Sequence, residues 1–145
     1  MSVDGIKLHI RHTMLPVADM ERTVDFYTRL LGMDVMRIRE DPEKKLRTLY
    51  LGYGSEDDGP ALELIQTGAA DASTKMPPWA GHVALFVSDL YKLSETLKAE
   101  GVKFTMEPRP NRPGSKDHVA FIQDPDGYTL ELTERHSKTG PPLRR

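Results

Sequence analysis

The chain contains no cysteine. That absence removes disulfide staples, thiolate metal sites and cysteine nucleophiles together, so a metal held by this protein must be held by His, Asp or Glu. Also missing is any apolar run near the roughly 18 to 20 residues that span a bilayer. The first residues, MSVDGIKLHIRH, have no apolar stretch of the secretory type. The expectation is a cytoplasmic protein with no membrane partner. Neither sign of charge dominates: 20 Lys and Arg stand against 22 Asp and Glu, a formal net charge of −2. The basic footprint of a nucleic-acid binder is therefore lacking. What remains is a 145-residue chain, the size of one domain or of two small modules sharing a core.

The chain repeats itself. HTMLPVADM at 12–20 aligns with HVALFVSDL at 82–90 at an offset of 82 − 12 = 70, with His, Val and Asp in register. Gly32 aligns with Gly101 at 101 − 32 = 69, and ALEL at 61–64 with TLEL at 129–132 at 131 − 63 = 68. The expectation is two homologous modules at about 8–66 and 81–134, joined by an Ala, Ser, Thr and Pro-rich linker over 67–80 and followed by a frayed tail over 135–145. In the first module the pattern predicts a strand over 12–17 and a helix over 19–31 capped by Asp19. That helix carries Met20, Val24, Tyr27 and Leu31 on one face and stops at Gly32. Strands over 34–38, 47–51 and 61–66 follow. The second module predicts a strand over 82–87, a helix carrying Leu90, Leu93 and Leu97 that ends before Gly101, and strands over 103–106, 119–122 and 129–133. Each module reads β-α-β-β-β, an α+β fold of two tandem copies.

Each copy supplies a histidine at the start of its first strand and a glutamate in its last: His12 and Glu63, then His82 and Glu131. A glutamate between leucines would by itself be the solvent side of an alternating strand, and a single histidine at a strand start would be a surface residue. Recurrence of both types at equivalent positions points instead to a shared metal site. Two imidazoles and two carboxylates suit Ni, Co, Zn or Fe better than Mg or Ca, which prefer oxygen alone. His9, His118 and His136 have no repeat partner and read as surface or loop residues. Glu56, Asp57 and Asp58 read as a solvated loop. Trp79 reads as a ring for stacking on substrate or for packing the linker.

HTML at 12–15, DFYT at 25–28, LGM at 31–33, LGYG at 51–54, LEL at 62–64, GHVA at 81–84 and DPDGYTLEL at 124–132 together resemble glyoxalase I, lactoylglutathione lyase, of the vicinal oxygen chelate superfamily. The resemblance implies the fold of that superfamily over 8–134, with His12, Glu63, His82 and Glu131 as metal ligands. It implies a homodimer whose sites each take His12 and Glu63 from one subunit and His82 and Glu131 from the other. A chain without insertions, as here, implies nickel or cobalt first, zinc or iron second, and glutathione as co-substrate. The implied reaction isomerises the hemithioacetal of methylglyoxal to a 2-hydroxyacid thioester, with Glu131 as the base and Glu63 placed symmetrically opposite.

The pattern is broken at Pro16, where the family commonly has Arg, and around Thr67, near which it commonly has Asn; both help to hold glutathione. The basic stretch over 109–118 offers Arg109, Arg112 and Lys116 as replacements. Three other superfamily chemistries compete: a thioester epimerase of the methylmalonyl-CoA type, an extradiol dioxygenase, and a metal-free ligand-binding resistance protein. A fourth ligand at Glu63 counts against the dioxygenase, and retention of all four donors against the binding protein.

Overall fold

The computed structural model describes residues 9–67 and 81–136. The chain divides into two units between residues 74 and 75. The first unit runs β1 (His12–Pro16), α1 (Met20–Asp25), β2 (Asp34–Asp41), β3 (Leu46–Gly52) and β4 (Ala61–Thr67). The second runs β5 (Val83–Phe86), α2 (Leu90–Ala99), β6 (Phe104–Pro110), β7 (His118–Gln123) and β8 (Thr129–Glu134). Their sheets have the same topology, β1-β4-β3-β2 and β5-β8-β7-β6. In each, the first strand lies parallel to the last and the other pairings are antiparallel. The repeat read from the sequence is thus a repeat of βαβββ sheets.

Alternation along the strands separates two faces. Leu15, Leu64 and Leu49 pair across β1, β4 and β3 on one face, and all three are buried. Leu130 and Leu132 on β8, with Ala120 and Ile122 on β7, do the same in the second unit and are fully buried. Each helix starts at an aspartate whose side chain accepts from the backbone three residues on: Asp19 Oδ1 from Arg22 N and Asp89 Oδ1 from Lys92 N, both at 3.0 Å. A second tie recurs beside it. Gln66 Oε1 accepts from Met20 N at 3.0 Å, and Glu134 Oε2 accepts from Leu90 N at 2.6 Å. The end of the last strand is thereby fastened to the first turn of the helix in both units.

The helix expected over 19–31 differs in kind. It is α-helical over Met20–Asp25 and then widens into a π turn over Phe26–Leu30. The repeat explains this: 32 − 12 = 20 residues separate His12 from Gly32, but only 101 − 82 = 19 separate His82 from Gly101. A π turn absorbs one extra residue within a helix. The closing hydrogen bonds record it. Gly101 N reaches back three residues to Lys98 O and Val102 N five residues to Leu97 O, a Schellman cap. Gly32 N reaches four residues to Thr28 O and Met33 N six residues to Tyr27 O, one residue further in each case. Both glycines sit at positive φ, +69° and +78°, where a side chain is strained. The buried face also differs from the expected one: Thr23 is fully buried while Val24 is only half-buried.

Strands β2 and β6 run further than expected, to Asp41 and Pro110. Both are sheet edges, where charged residues and prolines belong and the apolar period fades before the pairing does. The tail expectation also changes at its start. His136 N donates to Asp117 Oδ1 at 2.7 Å, and its ring pairs with Glu134 at 2.5 Å, so Arg135 and His136 are held against β7 and β8. The rest of the tail, the linker beyond Thr67 and Trp79 lie outside the described residues.

Candidate metal centre

Parallel pairing of β1 with β4 sets Met14 beside Glu63 and puts His12, two residues earlier, on the same face of the sheet. That face is opposite to the leucines. His12 Nε2 lies 3.0 Å from Glu63 Oε2, with side-chain exposures of 36% and 15%. The second unit repeats the arrangement: Glu131 pairs with Ala84, and His82 Nε2 lies 2.6 Å from Glu131 Oε2, with exposures of 42% and 25%. Each imidazole packs on an aromatic ring of the third strand, His12 on Tyr50 and His82 on Phe121, with centroids 5.7 and 5.5 Å apart.

The donor set fits a divalent cation. Two ligands bound side by side at about 2.0 to 2.2 Å from one ion lie roughly 3 Å from each other; the His12–Glu63 pair has that spacing, and the His82–Glu131 pair, at 2.6 Å, is drawn closer by a direct hydrogen bond. The donor atoms are partly open to solvent rather than sealed in the core, so a cation can reach them. Among the described residues each unit brings one His–Glu pair together. Among the described residues no three His, Asp or Glu side chains converge as a metal site.

Around the first pair lies a polar chain that the sequence pattern did not reveal. Tyr50 Oη donates to Glu63 Oε1 at 2.7 Å. The Arg37 guanidinium stands 3.8 Å from the centre of the Tyr50 ring, and its Nε and Nη2 donate to Glu56 at 2.8 and 3.0 Å. Glu56, expected in a solvated loop, is instead clamped, and the Arg37 guanidinium holds its carboxyl below the usual carboxylate range. Asp58 does stay in the turn, where it accepts from Ser55 N and Oγ at 2.9 and 2.7 Å. A cavity of about 340 Å³ between His9, Ile10 and residues 56–60 is lined by none of the four proposed ligands.

A family model described as the glyoxalase/bleomycin resistance protein/dioxygenase superfamily matches residues 9–132. The chain belongs to that superfamily. Within it, the chain is 41% identical over 126 residues to the "Probable lactoylglutathione lyase" of Vibrio cholerae serotype O1, covering 86% of this chain and 89% of that one. It is 37% identical over 127 residues to the lactoylglutathione lyase of Escherichia coli O157:H7, covering 88% and 93%. Among solved structures it superposes on the trypanothione-dependent glyoxalase I of Leishmania major with a TM-score of 0.78 and 35% identity, over 88% and 87% of the two chains.

The remaining residues singled out from the sequence are dispersed within this superfamily fold. Arg109 is the last residue but one of β6 rather than lying in a loop, and its Nε faces Met106 Sδ at 3.2 Å. Arg112 and Lys116 are exposed in the turn to β7. His118 begins β7, where Nδ1 meets Tyr91 Oη at 2.7 Å. Pro16 closes β1 and Thr67 closes β4. No described helix is long and apolar enough to cross a membrane.

Proposed function

We propose that the protein is a metal-dependent lactoylglutathione lyase, a glyoxalase I acting on the hemithioacetal of methylglyoxal and glutathione. The observation that carries this reading is the pair of matched His–Glu contacts, His12 with Glu63 and His82 with Glu131, on equivalent strands of a chain whose relatives over most of its length are lactoylglutathione lyases. Since each unit has two donors, a four-donor site needs both modules, so 8–134 acts as one functional domain. We assign His12 and Glu63 of one subunit and His82 and Glu131 of a second to each site of a homodimer. Nickel or cobalt is the preferred ion, and the compartment is the cytoplasm.

A divalent ion held there supplies positive charge against the two adjacent oxygens that become anionic when the substrate loses a proton from carbon. The protein's own part is proton movement and positioning. Glu131 takes the proton from the carbon bearing sulfur and hydroxyl and returns it to the neighbouring former carbonyl carbon; the hydroxyl proton crosses between the two oxygens, leaving a thioester and a new secondary alcohol. No atom is gained or lost, and no oxidant is required. Glu63 holds the opposite side. Arg109, Arg112 and Lys116 provide cationic groups for the glutathione carboxylates in place of the Arg that Pro16 replaces.

The test is thioester formation, read by ultraviolet absorbance, from methylglyoxal and glutathione after loading metal-free protein with Ni, Co or Zn. Metal content is measured alongside in wild type, His12→Ala and His82→Ala. Turnover with Ni or Co, and loss of metal in both variants, is expected. Full metal content in both variants would overturn the ligand assignment, and absence of turnover with every metal would overturn the activity.

A further inference from the structure

The two sheets set their His–Glu pairs in the same register but surround them differently. In the first unit the row Met14, Glu63, Tyr50, Arg37 crosses all four strands on one face. The matching row in the second unit is Ala84, Glu131, Phe121, Met106. An aromatic ring therefore stands next to the glutamate and against the histidine in both, and the difference beside the carboxylate is one hydroxyl. Tyr50 Oη donates to Glu63 Oε1 at 2.7 Å while Oε2 faces His12 at 3.0 Å, so both carboxylate oxygens are engaged. Glu131 has His82 at 2.6 Å, and beside it Phe121, which has no proton to donate.

The Tyr50 ring is itself fixed. It is 2% exposed and carries the Arg37 guanidinium 3.8 Å from its centre. Arg37 in turn is anchored by two hydrogen bonds to Glu56. Turning the ring away from Glu63 would break that stack, so Glu63 is held by a chain of three side chains, Tyr50, Arg37 and Glu56. Across the matching positions of the second unit stand Phe121 and Met106, neither able to hold a carboxylate. A ligand carboxylate gains from such fixing. A carboxylate that must accept a proton from one carbon and release it to the next needs an unengaged oxygen and freedom to turn.

We infer that Tyr50 is a positioning residue that divides the labour between the two glutamates, fixing Glu63 as a ligand and, by the absence of its counterpart beside Glu131, leaving Glu131 to carry the proton. This rests on the metal-dependent isomerase reading above. Three variants test it: Tyr50→Phe, Phe121→Tyr, and the two together, which moves the hydroxyl from one module to the other. Metal affinity is read by chelator competition, kcat and KM by thioester formation at saturating metal, and folding by the unfolding midpoint.

A hydrogen bond to a charged acceptor is worth a factor of about ten or more in an equilibrium. Tyr50→Phe, which keeps the ring and its packing, is expected to weaken metal affinity about ten-fold while kcat at saturating metal stays within about two-fold. Phe121→Tyr is expected to lower kcat at least ten-fold with affinity kept or tightened. The double variant should share that low kcat while its affinity returns toward wild type. Unchanged affinity in Tyr50→Phe overturns the inference without touching the function, and so does unchanged kcat in a Phe121→Tyr protein whose affinity has tightened. Wild type that neither binds metal nor turns over the adduct overturns the function itself, and this is seen before any variant is compared.

Discussion

A His12→Ala subunit joined to a His82→Ala subunit tests how the half-sites combine. Each unit holds one His–Glu pair, and no third donor joins either pair among the described residues. If the pairs combine across a two-fold dimer, a mixed dimer has one site lacking both histidines and one site with all four donors. Equal amounts exchanged at random make half of the dimers mixed, so about one site in four is complete and activity should return to about a quarter of wild type. Tightly held metal should return to the same fraction. If the pairs combine within one chain, every site in every dimer lacks one histidine and recovery is nil. Each parent is expected to be nearly inactive, because loss of one ligand of four opens the site and weakens binding. The assay is turnover before and after subunit exchange, with the mixed dimer demonstrated by native mass spectrometry. A demonstrated mixed dimer without recovery would refute the shared-site assignment while leaving the four ligands in place.

Other outcomes follow from the same structure. Neutralising Arg109, Arg112 and Lys116 together should raise KM for the glutathione adduct several-fold with kcat and metal content unchanged, and should flatten the dependence of KM on salt, because exposed charge contacts are screened. Leu64→Ala, at a fully buried position of β4, should cost about 2 to 5 kcal/mol in denaturant unfolding. Glu134 accepts from Leu90 N and pairs with His136, and these bonds hold its carboxyl below the ordinary value. A depressed folded value means that the stabilisation is complete above the ordinary carboxylate range and fades as pH falls through the folded value. Glu134→Ala should therefore lose about 1 kcal/mol near neutral pH, and the deficit relative to wild type should shrink in acid, as read from urea midpoints across the range.

The element order was legible because each module keeps its own punctuation: Asp19 and Asp89 before the helices, Gly32 and Gly101 after them, and an apolar period of two in the strands. The two His–Glu contacts were legible as matched pairs because both copies retain the residues. The Glu56–Arg37–Tyr50 chain was not. Its members have no matched types in the second module, and Tyr50 aligns with Phe121 at 121 − 50 = 71, outside the 68 to 70 of the other matches. Only the strand pairing, with Tyr50 opposite Glu63 and Phe121 opposite Glu131, makes the two positions equivalent. The π turn was hidden for a related reason. A one-residue change of offset was visible, but a helix, a cap or a turn could each have absorbed it, and the closing hydrogen bonds decide among them.

The places where the copies differ in length follow from the geometry of strands. One residue inserted within a strand would turn every later side chain to the other face, sending Glu63 into the leucines and Leu64 to the donors. Length changes therefore spare the first and last strands of each module, which place the His and Glu residues, and fall in the helix, the turns and the edge strand β6, which has a second bulge between Met106 and Arg109 where β2 has only the one between Val35 and Arg37. The first change is the π turn. From Gly32 to Tyr50 is 50 − 32 = 18 residues, and from Gly101 to Phe121 is 121 − 101 = 20, so the second module is longer between its second and third strands. From Tyr50 to Glu63 is 63 − 50 = 13, and from Phe121 to Glu131 is 131 − 121 = 10, so the first is longer between its third and fourth. The longer turn of the second module carries Arg112 and Lys116; the longer turn of the first carries Glu56, which anchors Arg37 beneath Tyr50. The strands keep the four proposed donors in matching register, and the turns make the two halves unequal: one carries exposed cations, the other Glu56, whose hold on Arg37 fixes the ring beside one of the two glutamates.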